Sequence, residues 1–262
     1  MTSLPPFYCI SHKDPGWPLP PFMTLVGTGG FVPAHGIGMS VHCPQLAYKN
    51  MKLGEYAALF MIRRLLEEAH ADGFVGICHY RRYALTVEIG QLRGFNFHAH
   101  PDELQALPAA AFIGDGATPI ISAPINFPGS VLQQYAANAV GRDLLMFFGD
   151  AVDCGVIDSA EAANFLSGNS FITAGNVGFM PVAWFIESMR QLEDVVARFA
   201  HNHYIRREGY LERSMGLCCE RLHALLLRKQ ALAYGADKVI TRPLTVLTET
   251  GHLNWTNDKD IA

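Results

Sequence analysis

Phe74-Val75-Gly76-Ile77-Cys78-His79-Tyr80-Arg81-Arg82-Tyr83 is the stretch on which the fold turns. Its first half is an unbroken apolar run of strand length, as expected of a strand buried on both faces. Its second half is polar and basic and starts where the strand must stop. Before it, residues 54–70 place apolar side chains at Tyr56, Leu59, Phe60, Ile62, Leu65 and Leu66. That spacing predicts an amphipathic helix with Arg63, Arg64, Glu67 and Glu68 on its wet side. Asp72-Gly73 supplies the turn between them. Helix, turn and buried strand together indicate an α/β protein. In such sheets ligands gather at the carboxyl ends of strands, which is where His79 to Tyr83 would sit.

The flanking sequence extends the pattern. Phe7 to Ile10 reads as a first strand, and Pro15, Pro18, Pro20 and Pro21 force loop or extended chain after it. Phe22 to Val26 is a second strand, followed by a glycine-rich segment from Gly27 to Gly38 in which Gly27-Thr28-Gly29-Gly30 is taken as a flexible loop. Residues 88–112 form a connection with a short helix near Asp102 to Leu107, and Pro119 to Ala123 is a strand. A helix is expected from Val131 to Phe148, weakened by Gly141, and a shorter one from Asp158 to Leu166 with Asp158 or Ser159 as its cap. Phe171 to Met180 is a strand broken at Gly175-Asn176; helices follow over Trp184 to Ala200 and about Tyr210 to Leu232. With no repeat or linker, one domain over residues 1–248 and a polar tail over 249–262 is the expectation.

Composition limits the function classes. Half of the 262 residues are hydrophobic and 17% are charged, enough for a sizeable core. A net charge of −4 argues against a nucleic-acid partner. The six cysteines form no Cys-x-x-Cys pair, and no basic-then-apolar leader or membrane-length run is seen, so reduced thiols and a cytoplasmic location are expected. His98-Ala99-His100 and His201-Asn202-His203 lack a third ligand and are read as solvated loops, and Asp115-Gly116 as a turn.

Residues 75–83 resemble the signature of a bacterial family known as a domain of unknown function, found in capsular-polysaccharide, exopolysaccharide and O-antigen glycosyltransferases. The family pattern is an apolar strand with Gly-Leu-Cys, then His-Tyr-Arg-Arg-Tyr. Ser11-His12-Lys13 with Val26-Gly27, Lys49-Asn50 with Glu55, Gly175-Asn176-Val177-Gly178-Phe179-Met180, and Arg213, Gly216 and Glu220-Arg221-Leu222 resemble its other blocks in order. Ala57 stands where the family has Thr, and the His it carries near position 138 or 139 is absent. The resemblance implies a GT-A-like, Rossmann-like sandwich with a mixed central sheet. It further implies transfer of a hexose, galactose being the family's suggestion, from a UDP-sugar to a glycan or lipid-linked glycan acceptor at the inner face of a membrane.

The chemistry then assigns roles. Charge builds on the departing diphosphate and must be met by a divalent metal or by fixed cations. No Asp-x-Asp motif follows Phe74 to Cys78, so Arg81 and Arg82 are expected to clamp the diphosphate in place of Mn²⁺ or Mg²⁺, with Asp115 as the fallback ligand. Glu220 is the candidate acceptor-side carboxylate. His12, Lys13, Asn50, Glu55, His79, Tyr80, Tyr83, Asn176, Arg213 and Arg221 are the candidate substrate-binding residues. A non-catalytic nucleotide-sugar or glycan-binding module on the same fold is the alternative; no spaced acidic pair supports a hydrolase.

Overall fold

A computed structural model describes residues 4–249, so all of the tail beyond Glu249 lies outside the described residues. The strands are β1 (Phe7–Ser11), β2 (Met23–Gly27), β3 (Ile37–Gly38), β4 (Phe74–His79), β5 (Arg82–Tyr83), β6 (Gln91–Arg93), β7 (Asn96–Ala99), β8 (Ile120–Ser122), β9 (Pro124–Asn126), β10 (Ser170–Ile172), β11 (Gly178–Pro181), β12 (Ile240–Arg242) and β13 (Thr245–Leu247). The helices are α1 (Met39–His42), α2 (Pro44–Leu53), α3 (Tyr56–Glu68), α4 (Pro101–Gln105), α5 (Ala110–Ile113), α6 (Val131–Ala136), α7 (Gly141–Asp153), α8 (Ser159–Ser167), α9 (Val182–Asn202) and α10 (Ser214–Tyr234).

The main sheet is mixed. Strands β3-β2-β1-β4 run parallel, β11 is antiparallel to β4 and β8, and β12 closes that side parallel to β8. The parallel order 3-2-1-4 is half of a doubly wound sheet. At the carboxyl end of β4 the chain turns back through Tyr80 and Arg81 into β5, which leads on to β13, β7 and β6.

Both faces of the sheet are buried, because side chains alternate along each strand. Ile10, Val75, Ile77 and Met180 face the larger core, built with α2, α3, α7, α9 and α10. Phe7, Cys9, Cys78 and Phe179 face a smaller one with Tyr83, Phe112 and Leu247. Helix α10 is buried around most of its circumference, which explains its run of Leu222, Leu225, Leu226 and Leu227 without a clear polar stripe.

Several elements differ from the sequence expectation. The helix expected over 131–148 is two, separated at Asn138 to Val140, where Val140 is extended. The helix expected from Tyr210 opens instead as a 3-10 turn over Gly209–Arg213. Arg63 and Glu67 are not on a wet face: Arg63 and Arg64 pair with Glu193, and Glu67 with Arg190, tying α3 to α9. Gly27 ends β2, and the turn at Gly29-Gly30 is closed by Phe31 N–H donating to the Thr28 carbonyl at 2.9 Å. A Cβ on Gly27 would come within 2.2 Å of the Phe31 carbonyl oxygen. His98 is buried in β7, not solvated, while His100 caps α4 and His203 faces the buried Asp150. Asp158, one of the two expected caps, does cap α8, through a reciprocal pair with Glu161.

Candidate functional site

The carboxyl ends of β1 and β4 open onto a cavity of about 350 Å³. His12 comes from the end of β1; His79, Tyr80, Arg81 and Arg82 come from the turn between β4 and β5. Glu55 comes from the corner between α2 and α3, and Tyr210 and Arg213 from the 3-10 turn. Leu217, Glu220 and Arg221 come from α10, and Gln134, Tyr135, Asn138 and Ala139 from α6 and the break after it. A second cavity, about 260 Å³ between α7 and α8, is lined chiefly by apolar groups such as Phe148, Val152 and Leu166.

Two of the four arginines are committed to carboxylates. Arg213 Nη2 donates to Glu55 Oε2 at 3.2 Å, and Gly54, at φ 56°, leaves room for that guanidinium. A Cβ at Gly54 would sit 3.1 Å from Arg213 Nη2. Arg221 Nη1 donates to Glu220 Oε2 at 2.8 Å and Nη2 to Gln134 Oε1 at 2.9 Å. Its guanidinium also lies over the Tyr135 and Phe171 rings, at 5.5 and 4.9 Å from their centroids. Arg81 and Arg82 make no ion pair or side-chain hydrogen bond among the described residues, and both are exposed to the cavity. Arg81 leans on the Tyr80 ring at 5.1 Å.

Glu55 is the hub of a second network. Asn176 Nδ2 donates to Glu55 Oε1 at 3.4 Å and to His79 Nε2 at 3.2 Å. That contact leaves the ring proton of His79 on Nδ1, the nitrogen that faces Glu55 Oε1 at 3.9 Å. Both nitrogens of His79 therefore face protein groups. Burial alone would raise the Glu55 carboxyl, but His79, Arg82 and Arg213 together outweigh it and bring it down to about 2. Burial lowers His79 to about 4; Glu55 opposes this, and Arg82 and Arg213 reinforce it. His12 is lowered too, by burial and then by Lys13, Arg81 and Arg213. Burial is the main cause of both shifts, and the nearby cations add to it.

Glu220 shifts the other way. Burial pushes its carboxyl up; Arg221 pulls it down, Glu55 adds to the rise, and Arg82 and Arg213 offset only part of it. Its Oε1 makes no hydrogen bond among the described residues. The Tyr80 hydroxyl is likewise buried without a partner there.

Of the residues singled out from sequence, His12, Glu55, His79, Tyr80, Arg81, Arg82, Arg213, Glu220 and Arg221 line the one cavity, and Asn176 reaches it through Glu55 and His79. Three stand outside its lining. Tyr83 is buried behind the turn, its hydroxyl donating to the Tyr80 carbonyl at 3.0 Å. Lys13 lies outside, its Nζ 5.9 Å from the Tyr80 ring. Asn50 stands against the turn at Gly29. Gln134, Tyr135, Asn138, Tyr210 and Leu217 were not foreseen. The sequence marks this region in two ways: the helix-weakening Gly141, and positions 138 and 139, where the family it resembles carries a His.

Asp115 sits in an exposed turn, its carboxylate taken up by Ala117, Thr118 and the Thr118 hydroxyl. Among the described residues no group of three or more His, Cys, Asp or Glu side chains converges to hold a metal ion. The donors of the cavity thus do not fit a metal site of that kind, whereas its guanidinium groups fit an anion. Among the described residues no helix is long and apolar enough to cross a membrane.

No family model matches the sequence, and no curated protein matches it. Among solved structures the chain is similar to the apo structure of WbbM, a bifunctional glycosyltransferase, with a TM-score of 0.74 over 97% of this chain at 14% identity. The match covers 48% of that protein, so the chain spans about half its length. What the two share is the fold, a mixed α/β sheet flanked by helices.

Proposed function

We propose that this protein is a glycosyltransferase whose cavity holds the diphosphate of a nucleotide-sugar. One observation carries the reading. Four guanidinium groups and two carboxylates line the cavity; Arg213 pairs with Glu55 and Arg221 with Glu220, while Arg81 and Arg82 make no ion pair among the described residues, which leaves two cations in excess. The diphosphate of a nucleotide-sugar carries a negative charge on each phosphate and gains more as the sugar leaves. Guanidinium forks meet such oxygens bidentately and stay charged through the reaction. The likeness of the fold to a glycosyltransferase and the resemblance of residues 75–83 to the His-Tyr-Arg-Arg-Tyr family favour the same chemistry. From that family we take a UDP-hexose as donor and a glycan, free or lipid-linked, as acceptor.

In this scheme the acceptor hydroxyl oxygen bonds to the anomeric carbon as the bond from that carbon to the diphosphate oxygen breaks. The electron pair goes to the diphosphate, where Arg81 and Arg82 offset the new charge. Glu220, with Oε1 open and its carboxyl raised, takes the hydroxyl proton in an inverting transfer or holds the acceptor in a retaining one. The anomeric configuration of the product decides between these. Glu55, fixed by Arg213, Asn176 and His79, keeps the floor of the cavity in shape.

The test is calorimetry with UDP, UMP and AMP, beside a donor-hydrolysis assay. UDP should bind and AMP should not, and Arg81→Ala or Arg82→Ala should each weaken UDP by about ten- to a hundredfold, the loss of about 1.5–3 kcal/mol for one charged hydrogen-bonding group. UDP affinity unchanged in both variants would overturn the proposal. Binding without turnover for any donor would favour the non-catalytic module.

A further inference from the structure

Residues 15–54 contain no Asp or Glu. They build β2, β3, α1 and α2, and the outer side of these helices carries protruding apolar groups. Tyr48 is 87% exposed, Val41 66% and Met51 63%. Lys49 and His42 are exposed beside them, and Lys52 lies next to Met51 with its ammonium 4.5 Å from the Tyr204 ring. In a chain of net charge −4, this is a locally basic, apolar face. It also adjoins the cavity. Helix α2 runs straight into Gly54 and Glu55, and the 3-10 turn that packs on α2 carries Tyr210 and Arg213 of the lining.

Exposed apolar side chains beside Lys49 and Lys52, on a segment that itself holds no acid, suit the interface of an anionic bilayer. The apolar groups enter the acyl boundary while lysine stems lie along it and keep their ammonium groups among lipid phosphates. A neutral protein partner would not call for the absence of acids. We propose that the α1–α2 face docks the protein on an anionic lipid surface, with the cavity mouth held beside it. This docking does not depend on what the cavity binds.

The experiment is co-sedimentation of the purified chain with vesicles of phosphatidylcholine alone and of phosphatidylcholine mixed equally with phosphatidylglycerol. The chain should pellet with the mixed vesicles at low salt, and high salt should release it. The double variants Lys49→Gln/Lys52→Gln and Tyr48→Ser/Met51→Ser should each bind at least tenfold more weakly, with melting temperature and UDP affinity unchanged. Arg81→Ala should lose UDP and keep the vesicles, which separates failure here from failure of the cavity assignment. No pelleting with mixed vesicles, or equal pelleting of both double variants and the parent, would overturn the proposal. So would a dimer in sedimentation velocity that Tyr48→Ser/Met51→Ser dissolves, since the face would then belong to a second copy.

Discussion

Gly216 lies against the carbonyl of Leu53: a Cβ at Gly216 would be 2.5 Å from that oxygen. This contact sets the closeness of α10 to the end of α2, and with it the distance from Glu220 and Arg221 to Glu55. Helix propensity alone would make Gly216→Ala stabilising by about 1 kcal/mol. The backbone oxygen has nowhere to go, so the variant should instead lose about 1–3 kcal/mol, as an overpacked contact does. Urea unfolding measures it, and a gain in stability would show that α10 can slide.

Glu220→Gln keeps the shape of the side chain and its hydrogen bond to Arg221. The fold and UDP affinity should therefore persist while kcat falls by about a hundredfold or more. Circular dichroism, calorimetry and a transfer assay read the three quantities separately. A variant that fails to fold would make Glu220 a structural anchor for Arg221.

Two buried histidines make stability depend on pH. Burial lowers His223 to about 3, and burial with its neighbours lowers His79 to about 4, both from 6.5. Below about pH 6.5 the unfolded chain takes up protons that the folded chain refuses, so stability falls as the pH drops toward those values and rises with pH. Each histidine contributes a slope of at most about 1.4 kcal/mol per pH unit in that window. Glu55, lowered to about 2, acts in the same direction further down: its stabilisation is present above the ordinary carboxylate range and is lost as the pH falls through about 2. Urea midpoints between about pH 7 and pH 5 should show the slope, and His223→Gln should remove about one proton from it. An unchanged slope would mean that His223 is charged in the fold.

Chelation distinguishes guanidinium from metal catalysis. With Arg81 and Arg82 as the cations, EDTA should leave transfer within about twofold of its untreated rate. Loss with EDTA and recovery with Mn²⁺ would place a metal in the reaction.

The elements that the sequence made legible are those whose pattern is local. Phe74 to Cys78 is apolar throughout because both faces of β4 are covered, and α9 shows its stripe because one side alone is buried. Helix α2 escaped notice because it buries only Leu46 and Leu53, seven positions apart. Strands β6 and β7 escaped because Gln91 to Arg93 form an exposed edge with no alternation to read. The division of α6 from α7 follows from Val140 turning extended just before Gly141, and a weakened helix signal does not say where a helix parts. Within the cavity, motif residues were visible as motifs. Gln134, Asn138 and Tyr210 were not, since what makes them neighbours of Arg81 is the packing of α6 and the 3-10 turn against α10.

The surplus of cations at the end of β4 also acts on the protein when nothing is bound. Burial first, then Arg82 and Arg213 against the pull of Glu55, lowers His79, and burial, Lys13, Arg81 and Arg213 lower His12, so cations crowd one cavity. Removing Arg81, which makes no ion pair among the described residues, should make the resting protein slightly harder to melt while making it a poorer binder. An anion entering the cavity relaxes that strain, so the ligand should tighten a molecule that its own recognition groups hold slightly sprung.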